Sequence, residues 1–104
     1  MEKQQILIVD DDSINREILM EMFREDQDVY DLIEAENGQE AVRQIESNHN
    51  IVLILLDVVM PGMDGFKVLE YMEEKSLLKE IPVILITGET IQDSEGRAYA
   101  FGVA

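Results

Sequence analysis

The chain has 104 residues, 46% of them hydrophobic, and carries 23 acidic against 8 basic side chains, a formal net charge of −15. This length suits one compact domain, residues 1–104, and the charge disfavours nucleic acids and anionic membrane surfaces as partners. The sequence has no cysteine, which excludes disulfides and thiolate zinc sites and makes a reducing cytoplasm the expected location. No apolar run approaches the roughly 20 residues that a membrane-spanning helix needs.

The first half of the chain alternates between strand and helix patterns. Residues 6–9 (ILIV) predict a buried strand, and the Asp-Asp-Asp-Ser run at 10–13 can cap a helix. Apolar residues at helical spacing then predict a first helix with one buried face, formed by Ile14, Ile18, Leu19, Met22 and Phe23. Residues 29–35 predict a second strand, and residues 41–45 a short second helix that ends near Ser47.

The second half repeats the same alternation. Residues 51–59 predict a third strand that is apolar on both faces, and residues 66–72 predict a third helix. Residues 81–86 predict a fourth strand with Pro82 at its entrance, where the missing N–H does least harm. Residues 91–101 predict a weak fourth helix, interrupted by Gly96. The order β-α-β-α-β-α-β-α indicates an α/β fold, a doubly wound parallel sheet covered on two sides.

Four polar residues follow the predicted strands. Asp10 and Asp11 end strand one, Asp57 ends strand three, and Thr87 ends strand four. Parallel strands end at one edge of the sheet, so these residues share a crevice if strand one adjoins strand three. Carboxylates about 5 Å apart repel by roughly 3 kcal/mol per pair at an effective dielectric of about 20. A cation is therefore expected among them, Mg²⁺ or alternatively Mn²⁺, and a metal beside a nucleophilic carboxylate suits phosphoryl transfer.

Each of these residues also has a plainer interpretation. Acidic residues before a helix are often only caps, an aspartate after a strand often forms a turn, and a threonine at a strand end is usually a strand residue. What favours a site is that all of them fall at the ends of parallel strands.

Three stretches resemble one protein family, the receiver domain of two-component response regulators. They are residues 6–12 (ILIVDDD), 56–65 (LDVVMPGMDG) and 81–88 (IPVILITG). The resemblance covers the chain from its first strand through its fourth helix. It implies a flavodoxin-like, CheY-like sheet of strand order 2-1-3-4, to which the family adds a fifth strand after the fourth.

The resemblance also implies roles for individual residues. Asp57 would accept a phosphoryl group from a histidine of a partner sensor kinase or phosphotransfer protein. Thr87 would bind a phosphoryl oxygen and relay the change, and Gly88 would leave room for the phosphoryl donor. The implied Mg²⁺ ligands are Asp10, Asp11, Asp57 and the main-chain carbonyl of Val59.

Three other polar residues are given structural roles. Asp12 matches a variable position of the family and is expected to cap the first helix. Asp64 belongs to the turn before the third helix. His49, between Asn48 and Asn50, is expected to be an exposed loop residue and not a relay histidine.

The sequence departs from the family pattern at its end. The family continues with a fifth strand, a phosphoryl-binding lysine and a fifth helix, and no lysine of this chain occupies the matching position; its lysines are Lys3, Lys67, Lys75 and Lys79. We therefore expect a receiver domain truncated at its C-terminus. An open edge on the fourth strand predicts that the chain self-associates or is unstable.

Three functions compete at this point. The first is a phosphoacceptor switch that is not an enzyme beyond self-phosphorylation from small donors and autodephosphorylation. The second is a degenerate receiver that binds partner proteins without phosphate. The third is a small Mg²⁺-dependent phosphatase, a class that usually has an Asp-x-Asp pair at its nucleophile, whereas Val59 stands two residues after Asp57.

Overall fold

The computed structural model of the chain describes residues 3–26, 28–57 and 65–86. Its elements in chain order are β1 (Gln4–Val9), α1 (Ser13–Glu21), a 3₁₀ turn (Arg24–Asp26), β2 (Tyr30–Ala35), α2 (Gly38–Ser47), β3 (Ile51–Asp57), α3 (Gly65–Glu74) and β4 (Val83–Ile86). The four strands are parallel and lie in the order β2-β1-β3-β4. The predicted parallel α/β fold and the order 2-1-3-4 are confirmed.

The larger part of the core lies between one face of the sheet and the helices α2 and α3. Successive strand residues point to opposite faces, so alternate positions of β1 and β3 enter this core. The buried side chains include Leu7 and Val9 of β1, Ile54 and Leu56 of β3, Ala41 and Ile45 of α2, and Phe66, Val68, Leu69 and Met72 of α3. The buried central strands hold the carboxyl edge of the sheet, where the site lies, in a fixed position.

The opposite face of the sheet meets α1, and here one prediction is wrong. The buried residues on this face include Ile6, Ile8 and Leu55, against which Leu19, Met20 and Phe23 are partly buried. Three residues predicted to share the buried face are instead exposed, with fractional exposures of 64% for Ile14, 59% for Ile18 and 70% for Met22. Ile14 and Ile18, with Met22 directly after the helix, are spaced four residues apart and form a separate stripe. Helical spacing alone does not tell which of two neighbouring apolar stripes meets the sheet.

Two element boundaries differ from the prediction for local reasons. The fourth strand begins at Val83 and not at residue 81, since Pro82 has no N–H for the ladder; its carbonyl accepts the Ile54 N–H at 3.1 Å. The second helix begins at Gly38, one turn earlier than predicted, because the side chain of Asn37 caps it by accepting the Glu40 N–H at 2.8 Å. It ends at Ser47, as predicted.

Some predictions concern residues outside the described ranges. These are the fourth helix at residues 91–101, the end of the third strand at 58–59, and the individual residues Val59, Asp64, Thr87 and Gly88. In the part of the chain that is described, no helix combines the length and the apolar character needed to cross a lipid bilayer.

Candidate functional site

Asp10 lies at the end of β1 and is held by contacts on both its main chain and its side chain. Its N–H donates to the Ala35 carbonyl at 3.1 Å, which extends the pairing of β1 with β2 by one residue. One of its carboxylate oxygens accepts the Asp12 N–H at 2.9 Å. The residue is only 3% exposed. A buried carboxylate held in this way has a well-defined position from which to bind a cation.

Asp12 begins α1. Its backbone is extended and its side chain accepts the Ile14 N–H at 2.9 Å, while its carbonyl accepts the Arg16 N–H at 3.1 Å as the first helical hydrogen bond. These are the contacts of a helix N-cap, so the predicted capping role is confirmed. Asp12 is thereby separated in role from the two aspartates before it.

The structure brings together the three carboxylates that the sequence placed at strand ends. Asp57 is the last residue of β3 and pairs with Ile86 of β4, so it reaches the same edge of the sheet as Asp10. Asp10, Asp11 and Asp57 each offer one carboxylate oxygen, and these oxygens all lie within 4.8 Å of one another. Asp11 is exposed and Asp57 half-buried. The crevice is therefore open to solvent beside Asp11.

These three oxygens fit a hard divalent cation. In an octahedral Mg²⁺ sphere with bonds of about 2.1 Å, ligand oxygens are about 3 to 4 Å apart, so a small contraction or one bridging water brings this set to that geometry. Without a cation, each pair of charges about 5 Å apart repels by roughly 3 kcal/mol at an effective dielectric of about 20. All three candidate ligand atoms are carboxylate oxygens, which suit Mg²⁺ or Mn²⁺ better than zinc or copper.

Arg16 was missed by the sequence analysis, yet it contacts this edge of the sheet directly. Its Nη1 donates to the Asp10 carbonyl at 2.7 Å, and its Nε donates to a carboxylate oxygen of Glu34 at 2.9 Å. Its side chain is only 13% exposed. Sequence spacing offered no signal for the contact with Glu34, because the two residues are far apart in the chain and only the β2-β1 pairing brings them together.

His49 lies away from the carboxylates. It is exposed in the loop that precedes β3, whereas Asp57 is at the other end of that strand. The prediction of an exposed loop residue is confirmed.

Comparison with known proteins gives the family of this chain. The sequence model of one protein family, the response regulator receiver domain, matches residues 6–104 of this chain. The two-component response regulator ORR5 of rice (Oryza sativa subsp. japonica) is 31% identical over 97 residues, which cover 93% of this chain and 71% of the relative.

Solved structures agree in fold. The chemotaxis protein CheY4 of Vibrio cholerae, at 25% identity, superposes with a TM-score of 0.83 over 99% of this chain and 83% of that one. A response regulator receiver protein from Pseudomonas putida, at 21% identity, gives a TM-score of 0.86 over 100% of this chain and 84% of that one. The latter likeness shows the fold alone.

Proposed function

Since the chain belongs to the response regulator receiver domain family, we propose that it is a phosphoacceptor switch in which Asp57 receives the phosphoryl group. Domains of this family are signalling domains rather than enzymes, they generally bind Mg²⁺, and they interact with histidine kinases or phosphotransfer proteins. One observation carries the assignment to Asp57. The residue is the last of β3, and one of its carboxylate oxygens lies within 4.8 Å of a carboxylate oxygen of Asp10 and of Asp11.

The proposed reaction is a transfer from a phosphohistidine of the partner to this chain. A carboxylate oxygen of Asp57 attacks the phosphorus, the phosphorus–nitrogen bond breaks, and the imidazole leaves with the bonding electron pair and takes up a proton. The product on this chain is an aspartyl phosphate. Positioning and charge stabilisation supply most of the catalysis in such transfers, because the transition state is loose.

The residues proposed to hold the metal are Asp10, Asp11, Asp57 and the main-chain carbonyl of Val59. At these ligands Mg²⁺ would supply positive charge to offset the negative charge of the phosphoryl oxygens. Asp10 supports this role through its burial and through the hydrogen bonds made by its N–H and its carboxylate. Asp11 is exposed, so a hydrated cation would reach its carboxylate from solvent.

The switch itself is assigned to Thr87 and Gly88, which directly follow β4. Thr87 would hydrogen-bond a phosphoryl oxygen and thereby bias a two-state equilibrium of a binding surface, and Gly88 would leave space for the donor. The donor histidine belongs to a partner sensor kinase or phosphotransfer protein.

We further propose that residues 1–104 act as one receiver domain of the cytoplasm, which agrees with a sequence free of cysteine. Self-association of the chain is also proposed. It is supported by the exposed apolar side chains of Ile14, Ile18 and Met22 and, among the described strands, by the edge position of β4.

The test is phosphorylation by a small donor. The 104-residue chain is incubated with Mg²⁺ and acetyl phosphate, and its intact mass is compared with that of Asp57→Asn. We expect the wild type to gain one phosphoryl group, which hydroxylamine removes, and the variant to gain none. Asp31→Asn, an exposed aspartate of β2, is the matched control and should be phosphorylated like the wild type.

Other outcomes correspond to the competing functions. A wild type that binds Mg²⁺ but gains no phosphoryl group would indicate a degenerate receiver that binds partners without phosphate. Release of phosphate over many turnovers from added phosphate esters would indicate a phosphatase. Labelling that persists in Asp57→Asn would overturn the choice of nucleophile.

A further inference from the structure

We propose that Arg16 and Glu34 form a clamp that positions Asp10 and Asp11 for the divalent cation. This inference rests on the proposed metal site and concerns residues that would not themselves bind the metal. Arg16 donates to the Asp10 carbonyl at 2.7 Å and to the Glu34 carboxylate at 2.9 Å. The clamp therefore joins the first turn of α1, the end of β1 and the strand β2.

The contact with the carbonyl acts on Asp11 through the peptide bond. The peptide unit that joins Asp10 to Asp11 is planar, so the direction of the Asp10 carbonyl sets the direction of the Asp11 N–H and the position of the Asp11 Cα, from which the side chain extends. The N–H of Asp10 and its carboxylate are already held by Ala35 and Asp12. The bond from Arg16 adds the carbonyl, which fixes the peptide plane that carries the exposed ligand, Asp11.

Glu34 holds the guanidinium in place. It lies opposite Ile8 in the β1–β2 pairing, one residue before Ala35, and so has a fixed position relative to the end of β1. The guanidinium is planar and rigid, so an acceptor on Nε also determines where Nη1 points. The Arg16 side chain is 13% exposed and that of Glu34 44%, so solvent screens the guanidinium less than it would in a fully exposed ion pair.

The direction in which Mg²⁺ affinity changes when Arg16 is substituted distinguishes a positioning role from a direct effect of its charge. A positive guanidinium near three carboxylates repels an incoming cation, so Coulomb interaction alone predicts tighter Mg²⁺ binding when Arg16 loses its charge. Positioning predicts the reverse. Residues that orient metal ligands typically change metal affinity 10- to 100-fold when substituted. We expect Arg16→Gln to weaken Mg²⁺ binding about tenfold.

The experiment measures Mg²⁺ affinity of the unphosphorylated chain by titration calorimetry, and Mn²⁺ affinity by the electron paramagnetic resonance signal of the free ion. The matched control is Arg24→Gln, which removes the same charge near the end of α1 from an exposed pair with Glu21. Its affinity should stay within about twofold of the wild type. Arg16→Lys keeps the charge but not the planar fork, and it should bind Mg²⁺ more weakly than the wild type.

A second pair of variants keeps the test decisive if substitution of Arg16 prevents folding. Glu34→Gln and Glu34→Ala remove the same charge, but only glutamine retains an oxygen that can accept from Nε. The clamp predicts weaker Mg²⁺ binding by Glu34→Ala than by Glu34→Gln. Circular dichroism without metal confirms that each variant is folded.

The outcomes also separate this inference from the proposed function. A wild type that binds no Mg²⁺ removes the metal site and the clamp with it. A wild type that binds Mg²⁺ and is phosphorylated on Asp57, with unchanged or tighter Mg²⁺ binding by Arg16→Gln, overturns the clamp alone. Equal affinities of Glu34→Ala and Glu34→Gln would also contradict it.

Discussion

The main-chain N–H of Asp12 donates to a carboxylate oxygen of Asp10 at 2.9 Å, and this contact turns the chain from β1 into α1. Asp10 therefore has a structural role in the turn and a proposed role at the metal. Asp12 in turn caps the helix through its own side chain. Asp10 and Asp12, two residues apart, thus have different roles, and their substitution should affect stability and Mg²⁺ affinity differently.

For Asp10, the substitution that separates the two roles is Asp10→Asn. Asparagine keeps an oxygen that accepts the Asp12 N–H but removes one of three clustered charges. We expect the metal-free unfolding free energy to rise by about 1 kcal/mol, a fraction of the repulsion since the crevice is partly solvated. Mg²⁺ affinity should fall at least about tenfold. Urea unfolding with and without Mg²⁺ measures both, with Asp26→Asn in the exposed 3₁₀ turn as control.

For Asp12, loss of the cap should lower stability. Asp12→Ala removes the acceptor of the Ile14 N–H and is expected to reduce the unfolding free energy by about 1 kcal/mol. Asp12→Ser retains a capping oxygen and should recover most of the loss. Chemical denaturation of the two variants side by side is the measurement, and equal stabilities would show that the cap contributes nothing measurable.

The same substitution, isoleucine to valine, should have different effects on stability at a buried position of β3 and at an exposed position of α1. Ile54 is fully buried in β3, whereas Ile18 is 59% exposed on α1. Ile54→Val should lower the unfolding free energy by about 1 kcal/mol because it leaves a cavity. Ile18→Val should change it by less than about 0.5 kcal/mol. Similar losses at both positions would place Ile18 in a buried environment.

The contact between α2 and α3 predicts a dependence of stability on alkaline pH. Tyr71 of α3 donates its hydroxyl to Glu46 of α2 at 3.2 Å. Burial, and then the hydrogen bond and negative charge of Glu46, raise the pKa of Tyr71 above its ordinary value of 10.0. The folded state thus holds the proton more tightly than the unfolded chain. The stabilisation is fully present below about pH 10 and is lost as the pH rises through the raised pKa.

Tyr71→Phe removes this linkage. Urea unfolding at a series of alkaline pH values should show a shallower decline of the unfolding free energy in the variant than in the wild type. Glu46→Gln removes the charge that disfavours tyrosinate and should bring the ionisation of Tyr71, followed by tyrosinate absorbance, to lower pH. The chain has three tyrosines and no tryptophan, so the difference spectrum against Tyr71→Phe isolates the signal. Parallel stability curves for wild type and Tyr71→Phe would contradict the prediction.

The sequence by itself predicted the parallel sheet and placed Asp10, Asp11 and Asp57 at one edge of it, to meet if the first strand adjoined the third, and the observed pairing of β1 with β3 satisfies that condition. Apolar runs that end in Asp10–Asp11 and in Asp57 carry this information locally, because parallel strands present their carboxyl ends at one edge. The capping by Asp12 was predicted from its place directly before a helical pattern and in a variable position of the family, and the loop position of His49 from the asparagines on either side of it.

Other features were decided only by the tertiary structure. Periodicity predicted one buried face for the first helix. Packing against the sheet instead buries Leu19 and Phe23 in part and leaves Ile14, Ile18 and Met22 exposed. The bond between Arg16 and Glu34 likewise exists only because β2 pairs beside β1. Contacts between residues distant in the chain depend on how the elements are arranged in space, and no local pattern of residue types specifies that arrangement.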